Sequence, residues 1–401
     1  MALVLEHGGG YAAVMLNDVT DLPSDLVELR SRLDHFLRDE ILPLEVNLAA
    51  DADPDAELRR RVRRLSDERG FFRLGLPREE GGGGLGPLGM VVVREMIAVS
   101  GSRLGRFLLG AGGGMLRNGT EDQRHRFLEP VLRGEMTTAF AFTDAREGPR
   151  TTARRDGNAF VLDGVKSFVT GGPQADLLLV VANVTENADG PTGVAIFLVP
   201  RAADGVELRR RLHTLDGGEH GEFVFSGCRI PAEDVLGAIG QGLPRAMQTI
   251  TATRLSLAAT AVGTAGWVLS WLLDQVDRPH RTGVPLADRE QVQAMIADNA
   301  TELYGARATL YAAARLTERG AEAEVETAIA KSLATEMVAD VVDRAIQLTG
   351  GAAVVEGHPL ERLYREVRGW RIAEGTTEIL RLSIARGLLA RHRAPGADGS
   401  A

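Results

Sequence analysis

The chain has 401 residues, 44% of them hydrophobic and 25% charged, with a formal net charge of −9 and a single cysteine, Cys228. That length supports two or three domains with sizeable cores. The acidic balance argues against nucleic acid as the main partner, and one cysteine excludes an internal disulfide, which fits a reducing cytoplasm. Met1 to Tyr11 lacks a basic stretch followed by a long apolar run, so no secretory signal is expected there.

The first third reads as helices. Leu26, Val27, Leu29, Leu33, Phe36 and Leu37 recur at helical spacing. Thr120-Glu121-Asp122-Gln123 forms a capping box ahead of Arg126-Phe127-Leu128. Between them, the run from Gly81 to Gly86 has the look of a phosphate loop, but it lacks the Lys-Ser/Thr ending and no strand leads into it. A flexible helix–helix connection is expected there.

In the middle third the pattern changes. Phe160 to Thr170 reads as two short strands around an Asp163-Gly164 turn. Further strands are expected at Leu177–Val181, Val194–Val199 and Phe223–Phe225. With no helical pattern between them, they suggest a compact antiparallel sheet or barrel, and Gly237 to Gly242 reads as the linker out of it.

The last third is helical again, with periodic segments over 244–277, 286–317, 323–350 and 376–391. Four long helices with short joints point to an antiparallel bundle. Leu255 to Leu273 carries no charge and approaches spanning length, but it is rich in Ala, Gly, Ser and Thr and is bracketed by Arg254 and Asp274. It reads as a helix buried in the bundle, not as a membrane span. The expected fold class is α+β and multidomain: an all-α domain over 22–134, an antiparallel, barrel-like β-domain over 135–242 and a four-helix bundle over 243–393. The polar tail 394–401 is expected to be disordered.

One segment stands out for chemistry: Ile372-Ala373-Glu374-Gly375-Thr376-Thr377-Glu378-Ile379. A carboxylate precedes a Gly-Thr turn and an apolar helix. Glycine lets backbone approach a ligand closely, and Thr376 or Thr377 can cap the helix. Alone, the segment reads first as a carboxylate that complements the helix dipole and touches water; the rest of the chain must overturn that.

Short motifs elsewhere do so. They are Gly75-Leu76-Pro77 with the glycine run after it, and Gly119 to Gln123 with Leu132-Arg133-Gly134-Glu135. Asp163 to Gly171 and Cys228 to Gly237 follow in the strand region. Thr253-Arg254, Gln347-Leu348-Thr349-Gly350-Gly351, Leu360 to Glu366 and Glu374-Gly375-Thr376 complete the set. Each is weak alone. In this order and spacing, over roughly residues 25 to 391, the chain resembles the acyl-CoA dehydrogenase family.

The resemblance implies FAD, held between the β-domain and the bundle and shared across a dimer interface, in tetramers built as dimers of dimers. It implies α,β-dehydrogenation of an acyl thioester, on CoA or a carrier protein, with electrons passed to an electron-transfer flavoprotein. Glu374 would abstract the α-proton while hydride leaves for flavin N5, and its backbone amide would bond the thioester oxygen. Desolvation would raise the Glu374 pKa and the helix N-terminus would lower it. Some family members carry the base one position before the arginine that here is Arg254; Thr253 cannot serve, which leaves Glu374. Arg254 would lie behind the site and bias the carboxylate, the alternative being an ordinary arginine at a helix start. Ala373, Gly375 and Arg386 would join Arg254 in binding substrate. Phe168 would pack on the isoalloxazine, Thr170 would reach N5, and Thr143 would bond the pyrimidine edge. Thr376 would also contact FAD, while Gln347, Gly350 and Gly351 would meet its adenine and pyrophosphate end from a neighbouring subunit. No metal is implied.

The chain departs from the family pattern in three places. Phe142 to Arg150 replaces a Thr-Glu-Pro…Ser-Asp loop and is shorter, with Arg146 and Arg150 as replacement phosphate donors or merely solvated side chains. Arg278-Pro279-His280-Arg281-Thr282-Gly283 replaces Arg-x-x-Phe-Gly, leaving Arg278 and Arg281 as the cofactor-facing candidates. Ala373 stands where a tyrosine is frequent, and Ala353 where a glycine is; a small residue at 373 would enlarge the pocket for a branched or bulky acyl group. The first two departures support an alternative: a subunit of a hetero-oligomer whose own FAD site is incomplete.

Overall fold

The computed structural model describes residues 20–46, 48, 53–110, 112–186, 190–281 and 283–393; the Met1–Tyr11 segment and the expected tail 394–401 lie outside them. The chain divides into two compact units, one of residues 1–110 with 251–401 and the other of residues 111–250.

In the first unit the chain opens with α1 (Ser24–Phe36), α2 (Ala56–Glu68) and α3 (Pro87–Val99). Leu26, Leu29, Leu33 and Phe36 of α1 are all buried, the stripe the sequence spacing predicts. The Asp55 side chain caps α2 by accepting from Leu58 N at 2.7 Å. The glycine run between α2 and α3 does connect helices, but it is wound tightly onto 73–77. Gly83 N donates to Arg73 O at 3.0 Å and Gly84 N to Leu76 O at 2.8 Å. A Cβ at Gly82 would stand 2.2 Å from Leu76 O, so glycine here allows backbone to lie on backbone.

The same unit holds most of α6 (Gly242–Val276), then α7 (Glu290–Glu318), α8 (Glu324–Thr349), α9 (Pro359–Trp370) and α10 (Thr377–Arg393). The helical stretches expected from the sequence are present. The shorter α9 adds a fifth helix, held at its start by Pro359 and by His358, whose side chain accepts from Leu360 N at 3.2 Å. Small residues let these helices approach: a Cβ at Gly263 of α6 would sit 2.4 Å from Glu95 O of α3. By length and composition α6 could cross a membrane, with mean hydropathy 1.4 over its most apolar window, but 72% of that window is buried inside the protein. It is a core helix. Glu95 on α3 ties the unit together, taking Arg307 Nε of α7 at 2.6 Å and the Tyr311 hydroxyl on its two oxygens.

The second unit begins with a helical stretch, α4 (Glu121–Gln123), a π-helical turn and α5 (Glu129–Arg133). The capping box forms as read: Gln123 N donates to Thr120 Oγ1 at 3.2 Å and Thr120 N to Gln123 Oε1 at 3.1 Å. Met115, Leu116, Phe127, Leu128 and Val131 pack on Leu177, Leu179, Ile196 and Leu198 of the sheet. The strands are β1 (Thr138–Ala141), β2 (Thr152–Asp156), β3 (Ala159–Thr170), β4 (Leu177–Glu186), β5 (Gly193–Pro200), β6 (Val206–His213) and β7 (Glu219–Pro231). They form one seven-stranded sheet in the order β1-β4-β2-β3-β7-β6, with β5 on the other edge of β4, and it curls into a half-barrel.

Most pairings are antiparallel, but β1 and β2 run parallel to β4 and share one of its edges. The expected hairpin at Asp163-Gly164 is absent, since β3 runs unbroken from Ala159 to Thr170. Gly164 (φ 142°) marks a register shift against β7 instead, and the tight turn falls earlier, at Gly157 (φ 60°) between β2 and β3. An Asp-Gly pair suits a bulge as well as a turn, because both need a residue free of Cβ constraints.

Candidate active site

The turn between α9 and α10 carries Glu374 and Gly375, at φ 57° and 102° in succession. Glu374 is one of only a few non-glycine residues at positive φ among those described, and such a backbone persists only where the surroundings enforce it. Two buried cations do so. Arg254 Nε of α6 donates to Glu374 O at 3.1 Å, and Lys331 Nζ of α8 donates to Gly375 O at 2.8 Å. Lys331 is 0% exposed and Arg254 4%. Arg254 stands well inside the 35-residue α6, so it is not the helix-start arginine the sequence left open. Thr376, not Thr377, caps α10: Ile379 N donates to its hydroxyl at 3.3 Å.

The half-buried Glu374 carboxylate is flanked by cations yet bonded to neither, because each spends its directed hydrogen bond on a carbonyl of the turn. Among the described residues neither that carboxylate nor the Glu374 N–H has a hydrogen-bond partner in the protein, and Arg254 Nη1 is buried without one. Burial pushes the Glu374 carboxyl above its ordinary value, and Arg254 and Lys331 pull it partway back. Lys331 is pushed down to about 8, first by burial, then by Arg254, with Glu374 and Glu336 opposing. Burial also lowers Arg254. The sequence left open whether burial or the helix N-terminus would prevail at Glu374. The carboxyl is raised, burial outweighing the pull of the two side-chain cations.

In the sheet unit, Phe168 and Thr170 point to one face of β3. Phe168 sits in a second register shift against β7 at φ 54°, and the residue is 63% exposed. A bulge with a left-handed residue re-aims a side chain out of the sheet. His220, paired with Thr170 across β7, stands 3.1 Å from the Thr170 hydroxyl through Nδ1, and its ring meets Phe168 edge-on. Thr143, distant in sequence, is pinned against this end of β3: its carbonyl accepts from Ser167 N at 2.9 Å. The buried Lys166 holds the next turn, donating to Phe142 O at 2.8 Å and Asp144 Oδ1 at 2.7 Å. The altered 142–150 segment is therefore ordered at its start, while Arg146 and Arg150 are exposed.

Family models agree on all three parts of the chain. Residues 23–135 match the N-terminal domain of acyl-CoA dehydrogenase, 136–228 the middle domain and 240–389 the C-terminal domain. The chain belongs to the acyl-CoA dehydrogenase family. It is 30% identical over 365 residues to a 3-(aryl)acrylate reductase of Clostridium sporogenes, covering 88% of this chain and 96% of that protein. It is also 30% identical over 331 residues to a subunit of the caffeyl-CoA reductase-Etf complex of Acetobacterium woodii, covering 80% and 87%. The structure of butyryl-CoA dehydrogenase from Megasphaera elsdenii superposes with a TM-score of 0.77 at 25% identity, covering 92% of this chain and 99% of that one. The protein is thus an oxidoreductase of acyl-CoA dehydrogenase type, from an FAD-binding family.

Of the residues the resemblance singles out, the structure brings Glu374, Gly375 and Arg254 into one cluster and Phe168, Thr170 and Thr143 into another. Gln347, Gly350 and Gly351 lie exposed at the end of α8, with open space where a glycine Cβ would stand. Arg278, Arg281 and Arg386 are exposed. The sequence reading missed Lys331 and His220. A lysine set among Ala328, Ala330, Ala334 and Thr335, all buried on α8, was a usable signal for the first. His220 needed the β3–β7 register.

Proposed function

We propose that the protein removes the α and β hydrogens of an acyl thioester, with Glu374 as the base. One observation carries this reading: a half-buried carboxylate on a left-handed turn, flanked by two cations that bond the turn and leave the carboxylate free. In its ionised form Glu374 takes the α-proton onto a carboxylate oxygen. Its unpaired N–H donates to the thioester oxygen, where negative charge grows as the proton leaves. A carboxyl raised by burial is a stronger base than one in water, and the two cations favour its ionised form. Ala373, small and exposed beside the base, leaves room for a branched or bulky acyl group, and Arg254 and Arg386 complete the substrate contacts.

The exposed, outward-aimed Phe168 with the Thr170 hydroxyl two residues on fits a planar ring bearing hydrogen-bonding atoms, and the open glycines at 350 and 351 fit a close phosphate approach. Phe168, Thr170, Thr143 and Thr376 would hold FAD, with Gln347, Gly350, Gly351, Arg278 and Arg281 contributed by a second copy. When bound, FAD supplies the hydride acceptor. Exposed Ile329, Leu333, Ile379, Leu382 and Leu389 on α8 and α10 support a homo-oligomer. A relative named for an Etf complex supports an electron-transfer flavoprotein as acceptor. The reductase names among the relatives support a second reading, the same groups run backwards, with Glu374 returning a proton to the α-carbon of an enoyl thioester.

The test is spectroscopic. The purified protein should carry one FAD per chain, and anaerobic addition of saturated acyl thioesters should bleach it, with branched chains at least as effective as short linear ones. Bleaching only with linear short chains contradicts the pocket reading. A colourless protein, or one flavin per two different chains, contradicts the function and favours the hetero-oligomer subunit.

A further inference from the structure

We propose that Lys331 is a positioning residue for Glu374: from the buried side of α8 its ammonium clamps the Gly375 carbonyl and fixes the turn, while its charge favours the ionised carboxylate. The inference rests on the reading of Glu374 as the base. Lys331 is fully buried among alanines on α8, where a methionine would fill the space without the cost of burying charge. Its directed hydrogen bond goes to Gly375 O at 2.8 Å, one peptide beyond the carbonyl that Arg254 holds at 3.1 Å. Two consecutive carbonyls are thus fixed from two different helices, which determines the plane of the Glu374–Gly375 peptide and the direction of the Glu374 side chain.

The charges around Lys331 point the same way. Arg254 faces it from α6 with like sign, Glu374 faces it from the turn, and Glu336 lies farther along α8. Glu336 is engaged with Arg371 at 3.6 Å and Arg381 at 3.1 Å. Glu324, the other acid acting on this cluster, acts on Arg254. Glu374 is the carboxylate that acts on both buried cations, sharing Arg254 with Glu324. Removing Lys331 lets its carboxyl hold a proton at higher pH and loosens the turn.

The experiment uses the full-length holoprotein as wild type, Lys331→Met, Lys331→Gln and Lys331→Arg. Glutamate labelled with 13C at the carboxylate reports the Glu374 titration in the absence of substrate, its signal assigned by its loss in Glu374→Gln. The expected result is an upward shift of about one pH unit in Lys331→Met, largely reversed in Lys331→Arg. The acid limb of kcat/KM should move by the same amount. Should Lys331→Met not fold, Lys331→Gln, which keeps a donor but not the charge, must show the same shift. A Glu374 titration unchanged in these neutral variants overturns the proposal, even if Glu374 proves essential for turnover. A shifted titration in a protein that oxidises no thioester sustains the influence of Lys331 on the Glu374 carboxylate and sinks the functional reading instead.

Discussion

Glu374 and Gly375 adopt left-handed backbone in succession, and only one of them is a glycine. Holding a glutamate there costs on the order of 1–3 kcal/mol, which the Arg254 and Lys331 hydrogen bonds offset. The result is a carboxylate aimed by backbone, with its own oxygens uncommitted. Gly375 has less freedom than its type suggests. At φ 102° any side chain is strained, and its Cβ would lie 3.3 Å from Leu380 Cδ2. Gly375→Ala should therefore lower stability by about 1–2 kcal/mol and displace the base. Thermal melts should show a drop in Tm, and kcat should fall more than the KM changes. A variant as stable and active as wild type would mean the turn is not enforced as described.

Among the elements, the long helices were readable because their apolar periodicity runs over many turns, as in the buried stripe of α8 from Val325 to Ala345. The Asp163-Gly164 pair misled because a local turn signal carries no information on whether the next strand folds back or continues. The pairing of β3 with β7 along its whole length decided that, through contacts far apart in sequence. His220 was invisible for the same reason, whereas Lys331 was visible as a charge on an apolar stripe and was passed over. The Glu95 network is a comparable long-range device, pinning α3 to α7 through groups more than two hundred residues apart. Glu95→Ala leaves Arg307 buried without its carboxylate and should cost about 3–5 kcal/mol. Denaturant melts would measure this, and a loss below 1 kcal/mol would show that the pair is not a structural tie.

At the scale of the molecule, the motifs on which the family resemblance rests lie on both compact units. The helical unit shapes the Glu374 turn and sets two cations beside its carboxylate, and the sheet unit presents an aromatic ring and a hydroxyl on one face. The uncharged stretch of α6 is apolar because it is core, and Arg254, just ahead of it, bonds the turn. The central claim is that Glu374 takes the substrate's α-proton. It is tested most directly by single-turnover reduction of enzyme-bound FAD with an α-deuterated acyl thioester, comparing wild type with Glu374→Gln. The account predicts a kinetic isotope effect in wild type and an acid limb above the ordinary carboxylate range. It also predicts a 100- to 10,000-fold slower reaction, about what loss of a general base costs, in a variant that still binds FAD. Undiminished flavin reduction in Glu374→Gln would contradict it.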